Sequence, residues 1–186
     1  MALNIKINFE EKYTAQPVDK LNYSTFEAEL KNGEKVTLGI TISMDEHPFM
    51  PDVLNLSFGP VDANDQIDDE VKLPHRHHSK VFSTVVFEGL SFLNKHPKKY
   101  LGIDGSTMSR AYLYYRCIQN NFDYLHSYFD IYGVNYYVRY FRSHEDQPEF
   151  EDGDILALPV VLEKGEAVTA PRLYNYFIFK AKQPQP

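Results

Sequence analysis

The spacing of apolar residues between positions 79 and 129 predicts a helix, a short strand, a tight turn and a second helix. In the first part, apolar or small residues recur at three- and four-residue steps, as on one face of a helix: Val81, Phe82, Val85, Val86, Gly89, Leu90 and Leu93. Ser79 is the predicted N-terminal cap. The helix is expected to end at His96-Pro97, because the residue before a proline avoids the helical region.

The second half of this stretch begins with a predicted central strand at residues 100–104. Asp104-Gly105 then turns the chain, and Ser106 or Thr107 can cap a second helix. Apolar positions keep helical spacing over residues 108–129, and Asn120-Asn121 marks a bend or a break in that helix.

The flanking segments predict β-strands. Alternating apolar and polar residues predict a half-buried strand at 3–9, and Asn32-Gly33 predicts a hairpin between 25–30 and 36–44. Further strands are predicted at 53–58, 134–141, 155–162 and 173–180, with Pro159 favouring a sheet edge for the third of these. We therefore predict one α+β domain over residues 1–186, with a mainly antiparallel sheet of six to eight strands and two principal helices packed on it.

Composition narrows the class of protein. The sequence has no apolar run long enough for a membrane span, and its N-terminus lacks the basic-then-apolar pattern of a secretion signal. The single cysteine, Cys117, excludes an internal disulfide and is expected to be a small buried side chain. We expect a cytoplasmic protein without a membrane partner.

The net charge of −7 is unevenly distributed. Residues 71–144 carry 10 basic and 4 acidic side chains, a local charge of +6, between two acidic flanks. This pattern fits acidic flanks packed around a basic middle, and it also fits a local positive patch for an anionic small molecule. Nucleic-acid binding is not expected, because it needs a broad basic surface.

The predicted strand–turn–helix at 104–110 is a candidate anion site. Backbone amides point outward at a helix N-terminus, where the helix dipole favours negative charge. The candidate residues are Gly105, Ser106, Thr107 and Arg110. The same residues also suit an ordinary connection, with glycine for the turn and serine or threonine for the cap. The turn matches neither a P-loop nor a dinucleotide-binding fingerprint, and we expect no cofactor.

His75, His77 and His78 surround Arg76 in a long irregular stretch, 61–78. Histidine is a common metal ligand and acid–base group. However, neighbouring histidines in one loop do not easily build a closed site, and the acidic run before them does not match a calcium loop. We therefore expect a surface loop without a metal ion, and keep the three histidines as possible acid–base or metal-binding residues.

Several of these motifs resemble an uncharacterised bacterial family found mainly in Bacteroidota. The resemblance covers roughly residues 53–133 and rests on the run Val81-Phe82-Ser83-Thr84-Val85, on His96-Pro97, and on Gly105-Ser106-Thr107 followed by Arg110 and Tyr114-Tyr115-Arg116. It implies no established activity.

The element order also distantly resembles the GNAT acetyltransferase fold, which has an antiparallel N-terminal sheet, a helix, a strand, a helix and a last strand. In that fold a glycine-containing segment opening the first of these helices holds the pyrophosphate of coenzyme A. The corresponding residues here, 74–80, contain no glycine. If acyl transfer occurred, Tyr132 would be a candidate acid.

Two classes of function follow. The first is a binding or interaction module from a mobile or defence gene cassette, whose aromatic strands 134–141 and 173–180 offer a surface to a protein partner or to a second copy. The alternative is a small enzyme or toxin, a GNAT-like acyltransferase or a metal-free ribonuclease. That alternative requires Ser106, Arg110 and either His77 or His78 to converge within roughly 15 Å on one cleft.

Overall fold

A computed structural model of the chain describes residues 4–18, 22–69, 71, 73–105, 107–134, 157–168 and 173–183. The elements in these residues are β1 (Gln16–Pro17), β2 (Tyr23–Glu29), β3 (Lys35–His47), β4 (Met50–Pro60), α1 (His78–Lys95), β5 (Tyr100–Asp104), α2 (Met108–Asn120), α3 (Phe122–His126), β6 (Phe129–Val134), β7 (Val160–Val161) and β8 (Tyr176–Ala181). The predicted α+β class, with a mainly antiparallel sheet and two principal helices, is confirmed.

The eight strands form one open sheet in the order β1-β2-β3-β4-β5-β8-β6-β7. Adjacent strands are antiparallel except β4 and β5, which are parallel and are connected through α1. The strand β8 pairs antiparallel with both β5 and β6. Consequently β5 and β6 run in the same direction, with α2 and α3 connecting them.

The main hydrophobic core lies between the helices and one face of the sheet. Val81, Val85 and Leu93 of α1 pack there with residues from β2 to β6 and β8. Among the side chains of this core that are almost completely buried are Leu38, Leu101, Leu125, Phe129 and Phe177. A smaller cluster lies on the opposite sheet face, formed by Met50, Val53, Val134, Tyr176 and Ile178. The sheet is therefore buried on both faces near β8.

The N-terminal segment was wrongly predicted as a strand of the sheet. Ile5, Ile7 and Phe9 are buried, as the alternation suggested, but residues 4–8 form no strand. Instead, their backbone bonds to side chains of the helical layer. The amides of Lys6, Ile7, Asn8 and Phe9 donate to the side chains of Ser79, Asn121, Ser83 and Tyr124, at 2.8–3.0 Å.

The ends of several elements also differ from the predictions. Ser79 does not cap α1: the N-cap is His77, without a side-chain hydrogen bond, and Ser79 lies in the first turn. The break near Asn121 is confirmed, because α2 ends at Asn120 and α3 begins at Phe122. The strand expected at 134–141 corresponds instead to β6, which ends at Val134, and residues 135–141 lie outside the described part of the chain.

The hairpin and the predicted edge strand are both found. Gly33 turns the β2–β3 hairpin with φ +89°. The β7 strand pairs only with β6 among the described strands, as Pro159 suggested. In contrast, β8 is a central strand and contributes its aromatic side chains to the two cores, so the predicted surface role of residues 173–180 was wrong. None of the helices in the described residues is long and apolar enough to cross a membrane.

Candidate functional site

The sheet divides into two halves at the carboxyl ends of its parallel strands. The strands β4 and β5 pair only from Val53 with Tyr100 to Asn55 with Gly102. Beyond that point β4 continues to Pro60 beside β3, while β5 continues to Asp104 beside β8. We name the resulting gap the β4–β5 fork. Strand edges that diverge in this way present backbone donors and acceptors that another extended segment can pair with. At the end of β4 the chain's own loop already does so, because the Asp68 amide donates to the Pro60 carbonyl at 3.0 Å.

A tyrosine hydroxyl lies at the closed end of the fork. Tyr176 of β8 is fully buried, and its hydroxyl reaches across β5 to within 3.5 Å of the Asn55 side-chain oxygen. Gly102 makes this possible, because a Cβ there would lie 1.9 Å from the Tyr176 hydroxyl oxygen. The Asn55 amide group in turn donates to the Ser57 hydroxyl at 3.0 Å. The fork therefore has a polar inner end.

On the helix side, the fork leads to a small apolar cavity of about 40 Å³. Phe58 and Ile103 come from the two diverging strands, and Tyr114 and Cys117 come from α2. Burial raises the pKa of Tyr114 and of Cys117 to about 12. Cys117 is thus the buried side chain expected from the sequence, and its thiol stays protonated at neutral pH.

The predicted anion turn lies on the β5 side of the fork. Gly105 donates its amide to the Asn175 carbonyl at 2.7 Å, and Thr107 caps α2 by accepting from the Arg110 amide at 3.3 Å. Ser106 lies outside the described residues. These contacts fit the ordinary connection foreseen as the alternative, because they use the amides of Gly105 and Arg110 for structure.

The electrostatic surroundings of this turn are mixed. Burial has the largest effect on the pKa of Tyr114. Arg110 lowers this pKa, while Asp69, Asp104 and Cys117 raise it. The Tyr114 hydroxyl is therefore influenced by one cation and by two carboxylates, and the carboxylates would oppose an anion close to it.

The histidine cluster lies at the start of α1. His75 bridges to Leu30 at the end of β2, and Arg76 pairs with Glu29 at 2.5 Å. The rings of His75 and His78 meet edge to face at 5.6 Å between centroids. Burial lowers the pKa of both, with His78 adding to the effect on His75 and Lys31 to the effect on His78. No group of three or more potential metal ligands occurs in the described part of the chain.

The first turn of α1 is a favourable environment for negative charge. No side chain caps it and no acidic residue lies in it. Arg76 and Lys80 flank it, and the amides of a helix N-terminus carry partial positive charge. Sequence analysis had assigned this role to the start of α2, where Thr107 already provides a cap.

Both predicted sites lie at the same end of the sheet, one on each side of the fork. The ends of β2 and β5 carry them, and β3 and β4 lie between, so three strand spacings of about 4.8 Å separate the strands laterally. The registers also place Asp104 level with Tyr23, so Glu29 at the end of β2 lies about 20 Å further along its strand. The two strand ends are therefore more than about 15 Å apart. Tyr132 lies on β6, beyond β8. Sequence analysis missed Asn55, Gly102 and Tyr176, whose only local signal was a glycine within a short strand.

A second surface lies on the sheet face opposite the helices. A groove of about 340 Å³ is lined by residues from five parts of the chain: Phe49, Met50, Pro51, Val53, Tyr100, Tyr132, Ala157, Pro159 and Ile178. Near it, Phe49, Leu158, Val160 and Val161 are 44%, 68%, 52% and 60% exposed. Exposed apolar residues along an edge strand are typical of an interaction surface.

Comparison with known proteins assigns the family but no activity. A family model for DUF6934, a family of unknown function, matches residues 9–151. The chain therefore belongs to the DUF6934 family. A search of curated proteins found no match, and neither did a search of solved structures.

Proposed function

We propose that this DUF6934 protein is a binding module for an anionic ligand that carries phosphate groups and an extended amide-containing arm, as coenzyme A does. The observation that carries the proposal is the β4–β5 fork. At this end of the sheet, two parallel strands separate, and the start of α1, which no side chain caps, follows the bridge from His75 to the end of β2. Ligands of open α/β sheets bind at the carboxyl ends of parallel strands.

Each part of such a ligand has a matching element. Phosphate oxygens would accept from the first-turn amides of α1, with Lys80 adding positive charge. Arg76 already pairs with Glu29. The arm would enter the fork, where its amides would pair with the diverging edges of β4 and β5. The element order, an antiparallel β1–β4 sheet followed by α1, β5, α2 and β6, supports the distant resemblance to the GNAT fold. The absence of glycine at 74–80 argues against that family's own phosphate loop.

Amide NMR shifts during a coenzyme A titration would test this proposal. We expect changes at His78 and Ser79 and along Ser57, Phe58 and Asp104. Pyrophosphate should affect mainly the α1 residues, and pantetheine mainly the fork. Changes confined to other surfaces, or none at saturating coenzyme A, would refute the proposal.

The small-enzyme alternative uses the same fork. Tyr176 has the hydroxyl at its inner end and would be the candidate acid in place of Tyr132, which β8 separates from β5. Under this alternative, Tyr176→Phe should retain coenzyme A binding and lose acyl transfer to an amine.

The anion site that the sequence predicts at the turn Gly105–Arg110 also stays a prediction. It would be abandoned if Arg110→Ala left sulfate affinity and fold unchanged.

We also propose a protein partner, a second copy of this chain, at the β7 edge. The support is the exposed apolar group Leu158, Val160 and Val161, since antiparallel pairing of two β7 edges would bury these residues symmetrically. Light scattering after size exclusion should give a dimer that Val161→Lys converts to a monomer. Val71→Lys, at another exposed valine, is the control. A monomeric wild type would refute this partner.

We also propose that the chain forms a single domain and that the protein is cytoplasmic. Both hydrophobic clusters are built on one sheet, which supports one folding unit over residues 1–186. The lone buried cysteine supports a reducing compartment, because the fold needs no disulfide. Limited proteolysis and fractionation of the source cells would test these two statements.

A further inference from the structure

A second cleft lies beside the C-terminal half of α1, away from the β4–β5 fork. It lies between α1 and the strands β1 to β3 and has a volume of about 220 Å³. Its described lining includes Ser24, Ile42, Glu88, Ser91, Phe92 and Lys95. We name it the α1 cleft. Since a cavity of about 150 Å³ can hold benzene, the α1 cleft has room for one ring with a short substituent.

Its described lining combines apolar surface with one carboxylate, that of Glu88. Ile40 and Ile42 of β3 are buried side chains of the main core, and Phe92 packs on His96 with 4.4 Å between ring centroids. Glu88 is half-buried and forms no hydrogen bond or ion pair with any group in the described part of the chain. A partly buried carboxylate without a partner is costly unless a ligand or water supplies one.

We propose that the α1 cleft is a binding site for a small primary amine with an apolar body. The ammonium group would pair with Glu88, and the apolar body would pack against Ile42 and Phe92. The C-terminal end of α1 adds favourable potential, because helix carbonyls at that end attract cations. This site is independent of the proposed coenzyme A site.

The two lysines near Glu88 do not occupy the position proposed for the ammonium group of the ligand. Burial raises the pKa of Glu88, and Lys95 and Lys12 lower it. The Lys12 ammonium donates to the Phe9 carbonyl at 3.1 Å and lies 4.2 Å from the centre of the Phe87 ring. Lys95 is exposed in the last turn, so its charged end can remain in water while its stem borders the cleft.

Calorimetric titration with benzylamine, benzyl alcohol and benzoate would test the site. These probes share a ring and differ in charge. We expect millimolar affinity for benzylamine and at least about tenfold weaker binding of the other two. Glu88→Gln should weaken benzylamine binding about tenfold or more, and Lys95→Met should strengthen it. Glu27→Gln removes the same charge at an exposed position and should change nothing.

Several results would overturn the proposal. They are no benzylamine binding at millimolar concentration, equal binding of benzyl alcohol, or unchanged affinity in Glu88→Gln. If Glu88→Gln does not fold, Ser91→Phe provides a second test, because a phenyl group at position 91 would fill the cleft and should abolish benzylamine binding. Coenzyme A binding should be unaffected by Glu88→Gln, so the two proposals can fail separately.

Discussion

Asn121, in the break between α2 and α3, holds the N-terminal segment in place, and its removal should strongly destabilise the fold. Its side-chain oxygen accepts from the Ile7 amide at 2.8 Å, and its side-chain nitrogen donates to the Ile5 and Cys117 carbonyls at 2.9 and 2.7 Å. The residue is buried. Asn121→Ala leaves the Ile7 amide and the Ile5 carbonyl without these partners.

Each buried backbone group that loses its hydrogen bond costs about 1–3 kcal/mol. For the two groups of the N-terminal segment, we therefore expect Asn121→Ala to lower the free energy of unfolding by about 2–6 kcal/mol. Urea denaturation followed by circular dichroism would measure this loss. The neighbouring Asn120 is exposed, so Asn120→Ala is the matched control and should change stability by less than about 0.5 kcal/mol. Equal effects of the two substitutions would refute this account of the N-terminal segment.

Three further predictions concern other buried groups. Gly102→Ala should lower the free energy of unfolding, measured by urea denaturation, by at least about 1–3 kcal/mol, because the alanine Cβ would overlap the Tyr176 ring. A variant as stable as the wild type would contradict this packing. Burial lowers the pKa of His47, so the unfolded chain binds more protons as pH falls below about 6.5. The free energy of unfolding should therefore decrease from pH 7 to pH 5, and His47→Gln should make this decrease smaller. The same decrease in His47→Gln as in the wild type would contradict the assignment to His47. Finally, Cys117, whose thiol pKa burial raises to about 12, should react with a thiol reagent in urea but only slowly in the native protein, and rapid native labelling would show that it is accessible.

Local chemistry made some elements predictable from the sequence. Asn32-Gly33 predicted the hairpin, because a turn with positive φ favours these residues, and Gly33 has φ +89°. Similarly, His96-Pro97 predicted the end of α1, and the threonine cap of α2 followed from Thr107. In each case the signal and the structure it specifies lie within a few residues.

Long-range pairing was not predictable in the same way. The alternation at residues 4–9 correctly indicated one buried face, but it could not show that the backbone partners are side chains of helices. Likewise, nothing in residues 173–180 indicates that β8 inserts between β5 and β6. The fork is formed where β4 and β5 stop pairing. That point also determines where Asn55 and Tyr176 lie in the fork. Sequence analysis therefore predicted an anion site only at the start of α2, whereas the site proposed at the start of α1 depends on this long-range arrangement.

The most direct test of the central claim is a calorimetric titration of coenzyme A into the wild type and His77→Asp. An aspartate at the N-cap of α1 would accept from the first-turn amides, stabilising the helix by about 0.5–2 kcal/mol, while its charge competes with phosphate for the same amides. We predict that the wild type binds coenzyme A and that His77→Asp binds at least about tenfold more weakly despite a higher melting temperature. Ser109→Asp, which adds the same charge in the first turn of α2, should bind as the wild type does. Equal affinity in the wild type and His77→Asp, or no binding by the wild type, would contradict the account.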